Sequence, residues 1–171
     1  HVIRGEEHLS NTPKQILIQK AFDFPELSYA HLPLILNPDR SKMSKRAGAT
    51  AVREYREAGY LPDALINFLA FLGWHPKEDK EILSLSELIQ EFDLSRVQKG
   101  GAVFNQQKLD WFNAQYIKKL SDKELSEILN INDQGLIGLF RDRLNKLSDF
   151  KVLSEFIFKL PEYDKDLLIW K

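Results

Sequence analysis

Lys42 and Lys45 stand three residues apart in the stretch SKMSKRAGA, with Ser44 between them and Arg46 beyond. A lysine ammonium is a compact point charge on a flexible stem, and a nearby hydroxyl adds a further partner for phosphate oxygens. A loop so equipped suits a polyphosphate. In nucleotidyl transfer, negative charge builds on the departing pyrophosphate. Cations placed there stabilise the transition state more than the ground state, and that difference is catalysis. The glycine spacing of a Walker-type P-loop is absent. Residues 40–56 hold six basic side chains (Arg40, Lys42, Lys45, Arg46, Arg53, Arg56) against Glu54 alone, a local balance of +5 within a chain of net charge −1. This marks an anion site; the competing reading is a solvated loop and helix face, since basic clusters are common on surfaces.

Arg4–Gly5–Glu6–Glu7–His8 is the second constellation. Arg4 closes a short stretch read as the end of a strand, where open α/β sheets bind their ligands. An arginine there can hold a carboxylate through two parallel hydrogen bonds. Glu7 or His8 can meet a base edge or a ribose. The competing reading is a charged loop with an exposed Arg–Glu pair of little energetic weight. The four histidines, His1, His8, His31 and His75, show no metal-ligand spacing, so no metal site is expected; His8 is the functional candidate and the others are assigned structural roles. The absence of cysteine removes disulfides, thiolate zinc sites, iron–sulfur clusters and a cysteine nucleophile, and it fits a reducing, cytoplasmic compartment.

These residues need elements to position them. With 171 residues, 43% of them apolar, the chain has enough apolar matter for a core and a length suited to one domain or two small ones. Its longest uncharged apolar run, Ala64–His75, is too short to span a bilayer, so no membrane partner is expected. Residues 1–4 read as a strand end. Asn11–Thr12–Pro13 reads as a capped helix start. Leu32–Leu36 (LPLIL) reads as one buried strand, followed by the Asn37–Pro38–Asp39 turn. Helices are expected over 50–58 (stopped by Gly59), from Pro62, over 84–92, from Asn105 to Tyr116, from the Ser121/Glu124 capping box, and over 134–146 and 148–158. Phe68, Leu69, Phe71 and Leu72 are expected to pack, as are Trp74, Trp111 and Trp170, with an RNA-facing role for Trp111 and Tyr116 as the alternative. The result is a short β/α piece joined to a helical remainder, a mainly α chain. One βα unit buries too little surface alone, and the chain opens on His1 without a Met, so it reads as entered partway through.

Four segments together carry a resemblance: HVIRGEEHLSNTPKQI, HLPLILNPDRSKMSKRAGAT, YLPDALINFLAFLGW and VQKGGAVFNQQKLDWFNAQYI. They resemble bacterial-type glutamyl-tRNA synthetases, class I aminoacyl-tRNA synthetases, over about residues 1–118; Lys42-Met43-Ser44-Lys45 is similar to the KMSKS loop of that class. The resemblance implies a Rossmann-like catalytic domain whose second half is residues 1–40, a KMSKS loop and stem-contact region over 41–118, and the start of a helical anticodon-binding domain over 119–171. It implies ATP with Mg²⁺, L-glutamate and tRNA(Glu) as partners, and a monomer. Arg4 matches the arginine that contacts the glutamate carboxylate. Glu7, His8, Leu34 and Ile35 match positions lining the adenine pocket, the last two through backbone groups. Lys45, with Lys42 and Ser44, matches the ATP loop.

There are departures. Family members often carry His where Ala47 stands and Asp where Asn105 stands. No His-x-Gly-His sequence occurs among the 171 residues, so the other half of the ATP grip is expected upstream of His1 and the chain alone is expected to be inactive. The alternatives are a tRNA-binding module without catalysis and a synthetase paralogue. A synthetase for glutamine is disfavoured because its anticodon region is usually a β-barrel, whereas the pattern after Ser121 is helical.

Overall fold

A computed structural model describes residues 1–43, 51–159 and 162. The described part is mostly helical with two small parallel sheets. Strand β1 (Val2–Gly5) runs through a 3₁₀ turn (Glu6–Asn11) into α1 (Thr12–Ala21) and returns as β2 (Tyr29–Leu32). The pairing of β1 and β2 is parallel, with Arg4 opposite His31, the arrangement a β–helix–β crossover produces. The helix start at Pro13 is where expected. Asn11, however, makes no side-chain cap, because the 3₁₀ turn already holds it in helical geometry.

The expected strand over Leu32–Leu36 is two strands. Proline has no N–H to give a ladder, and at Pro33 the chain breaks between β2 and β3 (Ile35–Leu36). The second strand pairs in parallel with β4 (Ala102–Val103), Ile35 opposite Ala102, a strand the sequence reading did not contain. Gly101 allows the approach: a β-carbon there would lie 2.6 Å from a methyl of Leu36.

The remaining helices build the core. They are α2 (Val52–Glu57), α3 (Pro62–Phe71), α4 (Leu85–Glu91), α5 (Gln106–Lys119), α6 (Asp122–Leu129) and α7 (Gln134–Phe140), followed by α8 (Asp149–Phe158). Ser84 and Ser121 each open a helix through a capping box, with Glu87 and Glu124 returning the bond. One core unites Tyr60, Leu65, Phe68, Leu72, Phe104, Leu109 and Phe112 across α3, β4 and α5. A second, of Ile117, Leu125, Ile137, Phe140, Leu144 and Phe150, closes α5 to α8. Trp74, Leu83 and Leu88 form a third, smaller cluster.

Two packing expectations are corrected. Leu69 is 42% exposed and Trp111 is 41% exposed. The buried stripe of α5 runs Leu109, Phe112, Asn113 and Ile117, a 3.6-residue period that passes Trp111 by. Tyr116 turns inward, donating from its hydroxyl to the Leu83 carbonyl at 2.6 Å, so it shares no exposed face with Trp111. Burial pushes its hydroxyl up to about 12. Trp170 lies outside the described residues.

Buried polar groups stitch the two larger cores together. Asn113, fully buried, accepts from the Leu61 amide at 2.8 Å and donates to the carbonyls of Asn145 at 2.6 Å and Gly59 at 3.4 Å. Gly59 sits at φ +92°, with the Ser148 amide 2.7 Å from where a β-carbon would stand. Its carbonyl also accepts from Leu147 N at 3.0 Å.

Candidate active site

Arg4 is the last-but-one residue of β1, so its side chain emerges at the carboxyl end of the β1–β2 pair. Helix α1 supplies its first partners. Thr12 and Gln15 lie three residues apart, hence on one helix face, and both accept from Arg4 Nη2, at 2.8 Å (Thr12 Oγ1) and 2.6 Å (Gln15 Oε1). From β2, the Tyr29 ring lies 5.2 Å from the guanidinium carbon. That is cation–π range. Tyr29 stacks in turn on His31, and its hydroxyl accepts from Gln19 Nε2 at 2.7 Å. Among the described residues Arg4 faces no carboxylate, and its buried Nε has no partner. A half-buried guanidinium held by neutral groups alone retains its full charge for an anion from outside.

One expectation about Arg4 changes in form. A two-pronged grip on a carboxylate uses Nη2 on either edge of the guanidinium, and both Nη2 hydrogens are engaged by Thr12 and Gln15. The donors left are those of Nη1 and Nε, on different edges.

The 3₁₀ turn after β1 carries the acidic residues across to the second strand pair. Glu6 Oε1 accepts from the Leu34 amide at 3.1 Å. The Leu34 carbonyl accepts from Ala102 N at 2.9 Å, and that of Ile35 accepts from Met43 N at 3.0 Å. Both polar backbone groups of Leu34 are thus taken within the chain, while the Ile35 side chain is 38% exposed. Glu7 lies 3.8 Å from Lys42 Nζ, with both side chains solvated. Hydrogen bonding from backbone holds the Glu7 carboxyl below its ordinary value, with the Lys42 and His8 charges adding to the effect. An exposed ion pair of this length is weak, so Lys42 exchanges it readily for a stronger anion. Lys42 itself is fixed at its base by a bridge to Leu36.

Arg4 thus stands near the carboxyl end of β1 and Glu7 in the turn that follows, with Lys42 beside Glu7, while Leu34 and Ile35 lie where the chain passes from β2 into β3, tied to that turn by Glu6. His8 follows Glu7 in the same turn with an exposed side chain. Ser44, Lys45 and Arg46 lie outside the described residues. Sequence reasoning missed Thr12, Gln15, Tyr29 and His31. His31 was assigned a structural role, and its Nε2 lies 3.0 Å from Thr12 Oγ1. Its place opposite Arg4 follows from strand register, which no local spacing discloses. Among the described residues no group of three His, Asp or Glu could hold a metal ion, and no helix is long and apolar enough to cross a membrane.

Arginine and lysine side chains beside the ends of parallel strands suit a class of proteins that handle anions. The comparisons give that class its family. Residues 1–111 match the catalytic domain of the class I tRNA synthetases (E and Q), and the chain belongs to that family. A glutamate–tRNA ligase of Prochlorococcus marinus (strain MIT 9301) is 46% identical over 97% of this chain and 38% of its own length. One from Carboxydothermus hydrogenoformans is 54% identical over 77% of this chain and 27% of its own. The crystal structure of a glutamate tRNA ligase from Elizabethkingia meningosepticum, in complex with its amino acid, superposes with a TM-score of 0.81 at 36% identity, over 97% of this chain and 39% of that one. The chain thus spans about two-fifths or less of the length of these relatives.

Proposed function

We propose that this chain is the ATP-loop and substrate-arginine portion of a glutamate–tRNA ligase. A carboxylate oxygen of glutamate attacks the α-phosphorus of ATP, the bond to pyrophosphate breaks, and glutamyl-adenylate forms. A ribose hydroxyl of the tRNA terminus then attacks the glutamyl carbonyl and AMP leaves. Arg4 orients glutamate through its carboxylate. Lys42 and Lys45, with Ser44, meet the pyrophosphate as charge builds on it, acting by electrostatics and positioning. Glu7, His8, Leu34 and Ile35 line the adenine pocket, Leu34 by contact, since its amide and carbonyl are already bonded within the chain. Mg²⁺ arrives with ATP.

On this reading residues 1–40 are the second half of a Rossmann-like domain, 41–118 the loop and stem-contact region, and 119–171 the start of a helical anticodon-binding domain. The protein works as a cytoplasmic monomer, and the helices beyond Thr50 follow tRNA through phosphate contacts and shape.

The observation that carries the reading is the half-buried Arg4 guanidinium, without a carboxylate among the described residues and with its buried Nε unpartnered. It stands near the carboxyl end of β1, and Glu7 and Lys42 meet beside the turn that follows. ATP–pyrophosphate exchange in a full-length ligase carrying this segment tests it. Arg4→Lys raises the KM for glutamate. Lys45→Ala slows adenylation by roughly two orders of magnitude, the scale of losing one preorganised transition-state contact. A Lys45→Ala enzyme altered only in its KM for tRNA would refute the loop's role.

A further inference from the structure

The Thr12 hydroxyl is the junction of the network around Arg4. Thr12 is 7% exposed. Its Oγ1 accepts from Arg4 Nη2 at 2.8 Å, donates to the His8 carbonyl at 3.0 Å and lies 3.0 Å from His31 Nε2. A hydroxyl has one proton and two lone pairs. With the proton on the His8 carbonyl, both lone pairs face donors: Arg4 Nη2 and an Nε2–H of His31. All three valences are then used, and each partner belongs to a different element: β1, the 3₁₀ turn and β2.

We propose that Thr12 is a positioning residue for substrate binding: it holds the Arg4 guanidinium in the orientation that receives the glutamate carboxylate. The proposal rests on the reading of Arg4 given above. Arginine has a long, rotamer-rich stem, and fixing it before substrate arrives removes an ordering cost from the binding step. The two Nη2 partners differ in kind. Thr12 is buried and tied to two further elements, so it stays. Gln15 is a half-exposed side chain with a neutral carbonyl oxygen in the place a charged oxygen would take, so it is the partner that a carboxylate displaces. Displacement frees one Nη2 hydrogen and restores a two-pronged edge, with Thr12 still holding the other hydrogen. The effect is specific to glutamate. Thr12 touches neither Lys42 nor the β3 backbone, and it meets His8 only at the backbone carbonyl and not at the side chain, so its loss acts on glutamate binding far more than on ATP binding.

The test measures KM for glutamate and for ATP separately, by ATP–pyrophosphate exchange, in a full-length ligase carrying this segment. Thr12→Val keeps the β-branched shape and deletes the hydroxyl; Thr12→Ser keeps the hydroxyl. Thr12→Val is expected to raise the glutamate KM about ten-fold and to leave the ATP KM within about two-fold, with Thr12→Ser restoring the wild-type value and Gln15→Ala shifting it less than Thr12→Val. A thermal melt scores folding, and if the valine variant does not fold, Thr12→Ala against Thr12→Ser makes the same comparison. If Arg4→Lys raises the glutamate KM and Thr12→Val does not, the proposal is overturned while the reading of Arg4 stands. Equal rises in both KM values, or a loss of kcat alone, overturn it as well. If Arg4→Lys leaves the glutamate KM unchanged, the reading of Arg4 fails and takes the proposal with it.

Discussion

Replacing Asn113 is the sharpest test of how the two larger cores are joined. The side chain is fully buried and engages three backbone groups from three segments: Leu61 N, Gly59 O and Asn145 O. Asn113→Ala strands the Leu61 amide and the Asn145 carbonyl, the two short bonds. Both bonds are part-buried, so each lost bond costs about 0.5–1.5 kcal/mol and the sum is roughly 1–3 kcal/mol before any cavity contribution. For a chain of this size 1 kcal/mol moves Tm by about 2–4 °C, so a loss of at least about 2 °C is expected. Asn113→Asp separates hydrogen bonding from volume. It keeps an acceptor for Leu61 N and leaves no cavity, but turns a carboxylate oxygen toward two carbonyl oxygens. At pH 7 it should be at least as harmful as alanine. The assay is urea unfolding followed by circular dichroism, with the slope checked against wild type. A loss below about 1 kcal/mol for both variants would show that the junction is held by apolar contact alone, and the reasoning would fail.

Three further outcomes are expected. Gly59→Ala places a β-carbon 2.7 Å from the Ser148 amide at φ +92°; the left-handed backbone and the overlap together cost at least about 2 kcal/mol, read in the same unfolding assay. Glu87, whose carboxyl is lowered to about 2 by its bond from Lys80 and those from Ser84, binds its proton more readily unfolded than folded. It therefore adds stability above its ordinary value near 4.5 that is lost as pH falls toward 2. In Glu87→Gln the fall of Tm over that window should be shallower than in wild type. Glu6→Ala releases the Leu34 amide and should raise the KM for ATP by roughly two- to ten-fold with little change for glutamate, since a partly exposed bond carries about 0.5–1.5 kcal/mol.

The helices were legible because their signals are local. Ser121 and Glu124, three residues apart, satisfy each other's end groups whatever lies beyond. Pro62 opens α3 and Gly59 ends the turn before it, as composition alone suggests. The strands were less legible for a physical reason. Strand β4 is two residues long, and what makes it a strand is β3, far away in sequence. Strand β2 was hidden because the apolar run Leu32–Leu36, which reads as continuous across Pro33, overlaps it only at Leu32. Arg4, Glu7 and Lys42 were recognisable as candidates by charge and place. Thr12 and His31 were not, because a threonine at a helix start and a lone histidine have ordinary local explanations. Only the parallel register, Arg4 against His31, brings them to one point. Trp111 was misjudged by residue type, where periodicity along α5 would have placed it outward.

The β3–β4 pair has a consequence for the order in which the protein forms. Leu36 and Ala102 are neighbours in space yet sixty-odd residues apart along the chain, and closing so long a loop must precede any reward from the contact. Lys42 is anchored on Leu36, and the Leu36 carbonyl is held by Phe104 N at 2.8 Å. The base of the basic segment is thus completed by residues made long after the segment itself. On a ribosome adding about 5–20 residues per second, several seconds separate the synthesis of Lys42 from that of Phe104. Through that interval the basic segment is without its β4 support, and its base is complete only after α3 has a partner in α5.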